Sequence, residues 1–201
     1  MNHHIGSIVK LHSIVLLGLF FWGATATAQP ENPNFSLSTS TFFEIDMQTI
    51  ALVDIETFAA NTDFTLNIPL PTEAGNPLGS NPLATNSDNW INYSNAVPVV
   101  TSRNIEVSIS VGSVPSDFEL ELSVAAATGG GAGNLGTPAP GTLTLSAVPQ
   151  NLITNIRGAF TGDGPGNGHQ LTFALNYLGT NYDQLDSQDI TLSILYTIVD
   201  N

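Results

Sequence analysis

The 201-residue chain contains no cysteine, and Lys10, Arg103 and Arg157 are its only Lys or Arg residues. Without a thiol there is no disulfide framework, no thiolate zinc site and no cysteine nucleophile, and a lipoprotein anchor has no sulfur to attach to. With no lysine after Lys10, a phosphate-cradling loop of the Gly-Lys-Ser/Thr kind is also excluded. Asp and Glu together number 17, giving a formal net charge of −14. Such a chain is repelled by nucleic acid and by anionic membrane surfaces. Only one long apolar run is present, Ile14 to Gly23, and it is shorter than the ~20 residues a membrane helix needs.

That run sits between Lys10 and the small-residue sequence Ala26-Thr27-Ala28. Charge, short apolar segment and small-residue cleavage site, in that order, predict an export signal over residues 1–28. The exported chain is then expected to begin at Gln29 and form one domain over residues 29–201, with no membrane span left after the signal is removed. All 17 acids lie in that part against only Arg103 and Arg157, a balance of −15. The acidity reads first as a solubility charge for a protein working outside the cell, the alternative being a field that gathers cations and basic partners.

Past the signal, apolar residues alternate with small polar ones, the period of strands with one face buried. In Asn104 to Val111, Ile105, Val107, Ile109 and Val111 share a face opposite Glu106, Ser108 and Ser110. The same alternation runs through Phe118 to Val124, Leu143 to Ala147, Leu171 to Leu175 and Ile190 to Ile198. Less regular strands are predicted over Phe35 to Met47, Ile50 to Ile55, Phe64 to Ile68, Trp90 to Tyr93 and Ala96 to Thr101. Clusters of Gly, Pro and Asn separate these runs and read as loops, among them residues 69–82, 128–141 and 161–168. Eight to ten short strands with long loops and no extended helix define an all-β class. The expected architecture is a two-sheet antiparallel β-sandwich, Ig-like or jelly-roll-like.

Candidate chemistry is sparse. Asp163 and Asn167, in the loop Gly162 to His169, offer oxygen ligands to a hard cation such as calcium, but the loop lacks the alternating acids and closing Glu of the helix-loop-helix calcium site. His169 is the one histidine after residue 28; with no second nitrogen or sulfur ligand it cannot build a zinc site. No Gly-x-Ser-x-Gly elbow accompanies it. Glu119 and Glu121 stand about 7 Å apart on the polar face of one strand, which is a solvated surface. Asp183, Asp186 and Asp189 read as an acidic loop. In Asn89 to Ser94, Trp90 and Asn92 fall on one strand face and Ile91 and Tyr93 on the other, putting one aromatic outside. Trp90, Asn92 and Tyr93 are therefore candidate glycan contacts.

The alternating strands, the Gly-rich loop leading into His169-Gln-Leu-Thr-Phe173, and the final strand ending Ile194-Leu-Tyr-Thr-Ile198 resemble exported bacterial fimbrial-subunit and surface β-sandwiches. That resemblance implies a secreted structural or adhesive role at the cell surface, extracellular or periplasmic, without catalysis, in which chains contact other surface proteins or assemble with themselves. Subunits of that kind that borrow a neighbour's strand lack their own last strand, whereas this chain has one. The run Phe35 to Met47 remains a candidate exchanged strand. The alternative expectation is an extracellular carbohydrate-binding module, assisted by calcium.

Overall fold

The computed structural model describes residues 41–179, 182–185 and 189–201, and every strand among them falls within the unit Ile45–Asn201. Eleven strands follow one another along the described residues: β1 (Ile50–Thr57), β2 (Ala84–Ala96), β3 (Arg103–Val111), β4 (Phe118–Val124), β5 (Ala132–Gly133), β6 (Thr137–Pro138), β7 (Thr142–Thr144), β8 (Gln150–Ile156), β9 (Ala159–Phe160), β10 (His169–Tyr177) and β11 (Ser193–Asp200). One 3-10 turn, Tyr182–Gln184, is the sole helical element among the described residues.

The strands form two antiparallel sheets. The larger runs β5-β9-β2-β10-β4-β7, with β1 also on β2; the smaller runs β11-β3-β8-β6. Their apolar faces meet in one core, where Ile91, Leu122, Leu171 and Phe173 of the first sheet join Ile105, Val107, Leu152 and Ile156 of the second. All eight are almost wholly withdrawn from solvent. Each such side chain contributes about 1.5–3 kcal/mol of burial free energy, so the core holds the body without covalent staples.

β1 occupies the edge of its sheet. Trp90 and Ile91 pair with Glu56 and Ile55 of β1 and with Gln170 and His169 of β10. Ser94 and Asn95 pair with Leu52 and Ala51 of β1 and with Phe160 and Ala159 of β9. A strand residue has two lateral sides, so β10 and β9 share one flank of β2 and β1 takes the other. Among the described residues no further strand pairs with β1.

Several expected strands differ in extent. Residues 41–49 form no strand, and Phe43, Ile45 and Met47 are 83%, 80% and 72% exposed; Phe35 to Ser40 lie outside the described residues. Alternation over residues 41–49 is therefore not matched by a partner strand. Phe64 to Ile68 is also not a strand, though Phe64 and Leu66 pack on the core, and the Phe64 ring lies 4.7 Å from that of Phe173. Ala96 to Thr101 ends at once: Pro98 supplies no N–H for a ladder, and its carbonyl accepts Thr101 N–H in a turn at 2.9 Å. Val99 and Val100 are left outside. The last strand starts at Ser193 rather than Ile190.

Candidate functional site

The centre of β2 sorts the residues of interest onto two sides. Asn89, Ile91, Tyr93 and Asn95 are all buried and carry the core-facing period. Their polar ends find partners: Asn89 Nδ2 donates to Thr62 O at 2.9 Å, and Asn95 Nδ2 to Arg157 O at 2.9 Å. Asn95 Oδ1 accepts from Arg103 Nη1 at 3.0 Å. Trp90, Asn92 and Ser94 take the other face. Of these Trp90 is half-buried, and Asn92 is buried because the loop after β9 folds over it, its Nδ2 donating to Gly164 O at 3.0 Å. The three residues read as glycan contacts thus do not form one surface: Tyr93 is in the core, Asn92 is under a loop, and only Trp90 reaches solvent.

The loop over Asn92 is shaped by its glycines. Gly168 has φ +74°, and a Cβ there would run into Ile91 O and stand 2.6 Å from Asn92 Oδ1. Only glycine permits that approach. Asn167 ties the loop internally, its Nδ2 donating to Asp163 O at 2.7 Å and its Oδ1 accepting from Gly130 N–H at 3.0 Å. Asp163 and Asn167, the candidate cation ligands, are thus brought together through the Asp163 backbone carbonyl. Among the described residues no three His, Cys, Asp or Glu side chains cluster as a metal would require.

His169 opens β10 and is 1% exposed. Its Nδ1 lies 2.8 Å from Ala125 O, and its Nε2 3.0 Å from the Tyr93 hydroxyl. That hydroxyl also donates to Leu135 O. Burial holds the imidazole below its ordinary pKa, against the opposing pull of the backbone carbonyls of Ala125 and Leu135. Burial likewise raises the Tyr93 phenol. No Ser or Asp side chain is hydrogen-bonded to the imidazole among the described residues, and the ring serves to fasten the Ala125 to Leu135 segment to the core. Glu119 and Glu121 lie half-buried on β4 and accept from the hydroxyls of Thr144 and Thr142. Asp183 and Asp189 are exposed, and Asp186 lies outside the described residues.

The outer face of the β1 edge carries accessible apolar side chains near this loop. Leu52, Ser94, Phe160 and Ala132 are successive cross-strand partners on β1, β2, β9 and β5, so their side chains share a face. Leu52 is 65% and Phe160 50% exposed. Two open grooves meet at Ser94 and Phe160, one running past Ile50 and Gly133, the other past Leu52, Asp54 and Asp163. The second, of ≈ 660 Å³, has room for several side chains. No signal in the sequence pointed to this corner, because Phe160 belongs to a two-residue strand.

No family model, no curated protein and no solved structure matches the chain.

Proposed function

We propose that the chain is an exported structural or adhesive protein of the cell surface that acts by contact and not by catalysis. In this reading residues 1–28 are a cleaved signal, and the sandwich is of the Ig or jelly-roll kind. The observation that carries it is the exposed apolar corner formed by Leu52 and Phe160 beside the one-sided edge strand β1. Exposed apolar side chains next to an open sheet edge are what contact with another macromolecule uses. Antibody labelling of intact producing cells, with N-terminal sequencing of the product, tests this. Surface labelling of a chain beginning at Gln29 is expected; an uncut chain confined to the cytoplasm overturns the reading.

A carbohydrate-binding module is the second reading. It is favoured by the half-exposed Phe160 ring beside the carboxylates of Asp54 and Asp163, since an aromatic face flanked by acceptors suits a sugar. A glycan array run with and without calcium separates the two, saturable sugar capture that fails in Phe160→Ala being the result that favours the module.

A further inference from the structure

We infer that the β1 edge takes an extended segment of another protein, added as a strand, whose alternate side chains are apolar along one half and basic along the other. On β1, Val53 and Ile55 pack against the core, leaving Ile50, Leu52, Asp54 and Glu56 on the outer face. That outer row is divided. Ile50 and Leu52 adjoin the Phe160 corner, whereas Asp54 adjoins Asp163 in the second groove and holds the Ile55 N–H on its Oδ1 at 2.8 Å, a contact that an added strand replaces with its own carbonyl. A strand laid beside β1 sets its outer side chains next to this row at the same two-residue spacing. Apolar residues are favoured beside Ile50 and Leu52, and Lys or Arg beside Asp54 and Glu56.

Charge chooses the occupant. A second copy of this chain has only Lys10, Arg103 and Arg157 as cations, never two at alternate positions. Arg103 is already held by Asp200, Asn95 and Ile50 O. The chain's own run Phe43 to Met47 carries Glu44 and Asp46 between its apolar residues, so one facing sets carboxylate against carboxylate and the other turns the carboxylates toward the Val53 and Ile55 row, with no cation for Asp54 or Glu56 in either. The partner is therefore a different polypeptide with a basic half-strand.

The test is peptide binding to the purified protein, read by fluorescence anisotropy. The probe is a synthetic peptide the length of β1 with two valines and then two lysines at alternate positions. A copy with glutamates replacing the lysines, and two copies N-methylated on one or the other set of alternate amides, serve as comparisons. Saturable binding of the lysine peptide is expected in one strand direction, with affinity lost on N-methylation of one set only, the signature of strand addition. The double variant Asp54→Lys with Glu56→Lys, checked for an unchanged circular dichroism spectrum, should bind the lysine peptide at least about tenfold more weakly and gain the glutamate peptide.

Absence of lysine-peptide binding overturns the assignment, as does binding indifferent to both charge and N-methylation. So does self-association of the free protein through β1. The assignment rests on the surface role proposed above only for where the partner is met. Because peptide binding is measured on purified protein, its failure is distinct from a failure of export.

Discussion

The Tyr93 hydroxyl lies 3.0 Å from His169 Nε2 and also bonds Leu135 O, so one hydroxyl hydrogen faces two acceptors when the imidazole is neutral. The opposite ring nitrogen, Nδ1, meets Ala125 O at 2.8 Å; a carbonyl cannot donate, so the proton of the neutral ring resides on Nδ1. A second proton on Nε2 would complete all three hydrogen bonds, but burial of the charge outweighs that gain and keeps the pKa below its ordinary 6.5. The unfolded chain consequently takes up this proton at a higher pH than the folded one. Stability from this group is fully present above about pH 6.5 and falls as pH drops toward the lower folded pKa. Urea midpoints between about pH 7.5 and about pH 5.5 should decline for the natural chain and less for His169→Gln. Equal slopes for the two proteins would contradict the assignment, as would nitrogen shifts showing an Nε2–H tautomer.

Arg103 joins the two sheets at one end. From β3 it reaches Asp200 of β11 at 2.7 Å, Ile50 O at the start of β1 at 2.7 Å and Asn95 Oδ1 of β2 at 3.0 Å. The Asp200 side chain is 84% exposed, and a pair of that kind contributes about 0–1 kcal/mol. The buried Asn95 carboxamide depends on the guanidinium more. Arg103→Met should cost about 1–3 kcal/mol by leaving that oxygen without its partner, while Asp200→Asn should cost about 1 kcal/mol or less. Denaturant unfolding of both variants checks the order, and a larger loss for Asp200→Asn would show that the ion pair dominates.

Two glycines of one loop should respond differently to alanine. At Gly168 a Cβ collides with the backbone of β2 and with Asn92, whereas at Gly164, φ +84°, it meets nothing within 4 Å. Gly164→Ala bears only the left-handed backbone penalty of about 1–2 kcal/mol. Gly168→Ala adds the displacement of the loop from Asn92 and should lose about 3 kcal/mol or more. Thermal unfolding of the pair is the check; similar losses would place the loop away from Asn92.

Phe173, 1% exposed and in ring contact with Phe64, tests whether the irregular residues 58–83 belong to the body. Phe173→Ala should cost about 3–5 kcal/mol. Phe64→Ala should also be destabilising, though Phe64 lies in no strand, and a double-mutant cycle should show the two coupled by about 0.5–1.5 kcal/mol. Additive losses would mean that the two rings do not pack together.

How much was legible from the sequence depended on whether the strand kept period two. β4 did, and so did β3 as far as Ile109, so that Ile105, Val107, Ile109, Leu120 and Leu122 were readable. At the end of β3 the pairing with β11 slips between Ser193 and Ile194, leaving Val111 62% exposed, and Asn104 and Ser108 are buried against the pattern. β8 was not readable, because pairing with β3 slips twice: Ile105 faces Ile153 but Glu106 faces Asn151, and Arg103 faces Ile156. Leu152 and Ile153 are consequently both buried, and Asn155 adopts φ +60° with its N–H on Asn104 Oδ1. Each bulge reverses the alternation, erasing the signal a strand presents. β2 was legible only at Trp90 to Tyr93, since its flanks are mostly Asn, Ser and Thr, and the buried carboxamides of Asn89 and Asn95 are satisfied by Thr62 O and Arg157 O far along the chain. Of the site residues, the two-faced placement of Trp90 and Tyr93 followed from local parity, but the cover over Asn92 is a long-range contact that no local pattern encodes. The Leu52 and Phe160 corner is likewise assembled from strands more than a hundred residues apart.

Hydrogen exchange along β1 is the most direct measurement of an open edge poised for a partner. In the free protein, alternate amides from Ala51 to Thr57 should exchange slowly where they pair with β2 and fast in between, except at Ile55, whose N–H is held by Asp54 Oδ1 at 2.8 Å, and the fast set should become protected when the apolar and basic peptide is added. Uniform protection before any peptide is present would mean that the edge is already covered, and a fast set unchanged at peptide saturation would mean that the partner does not add there as a strand; either result contradicts the account.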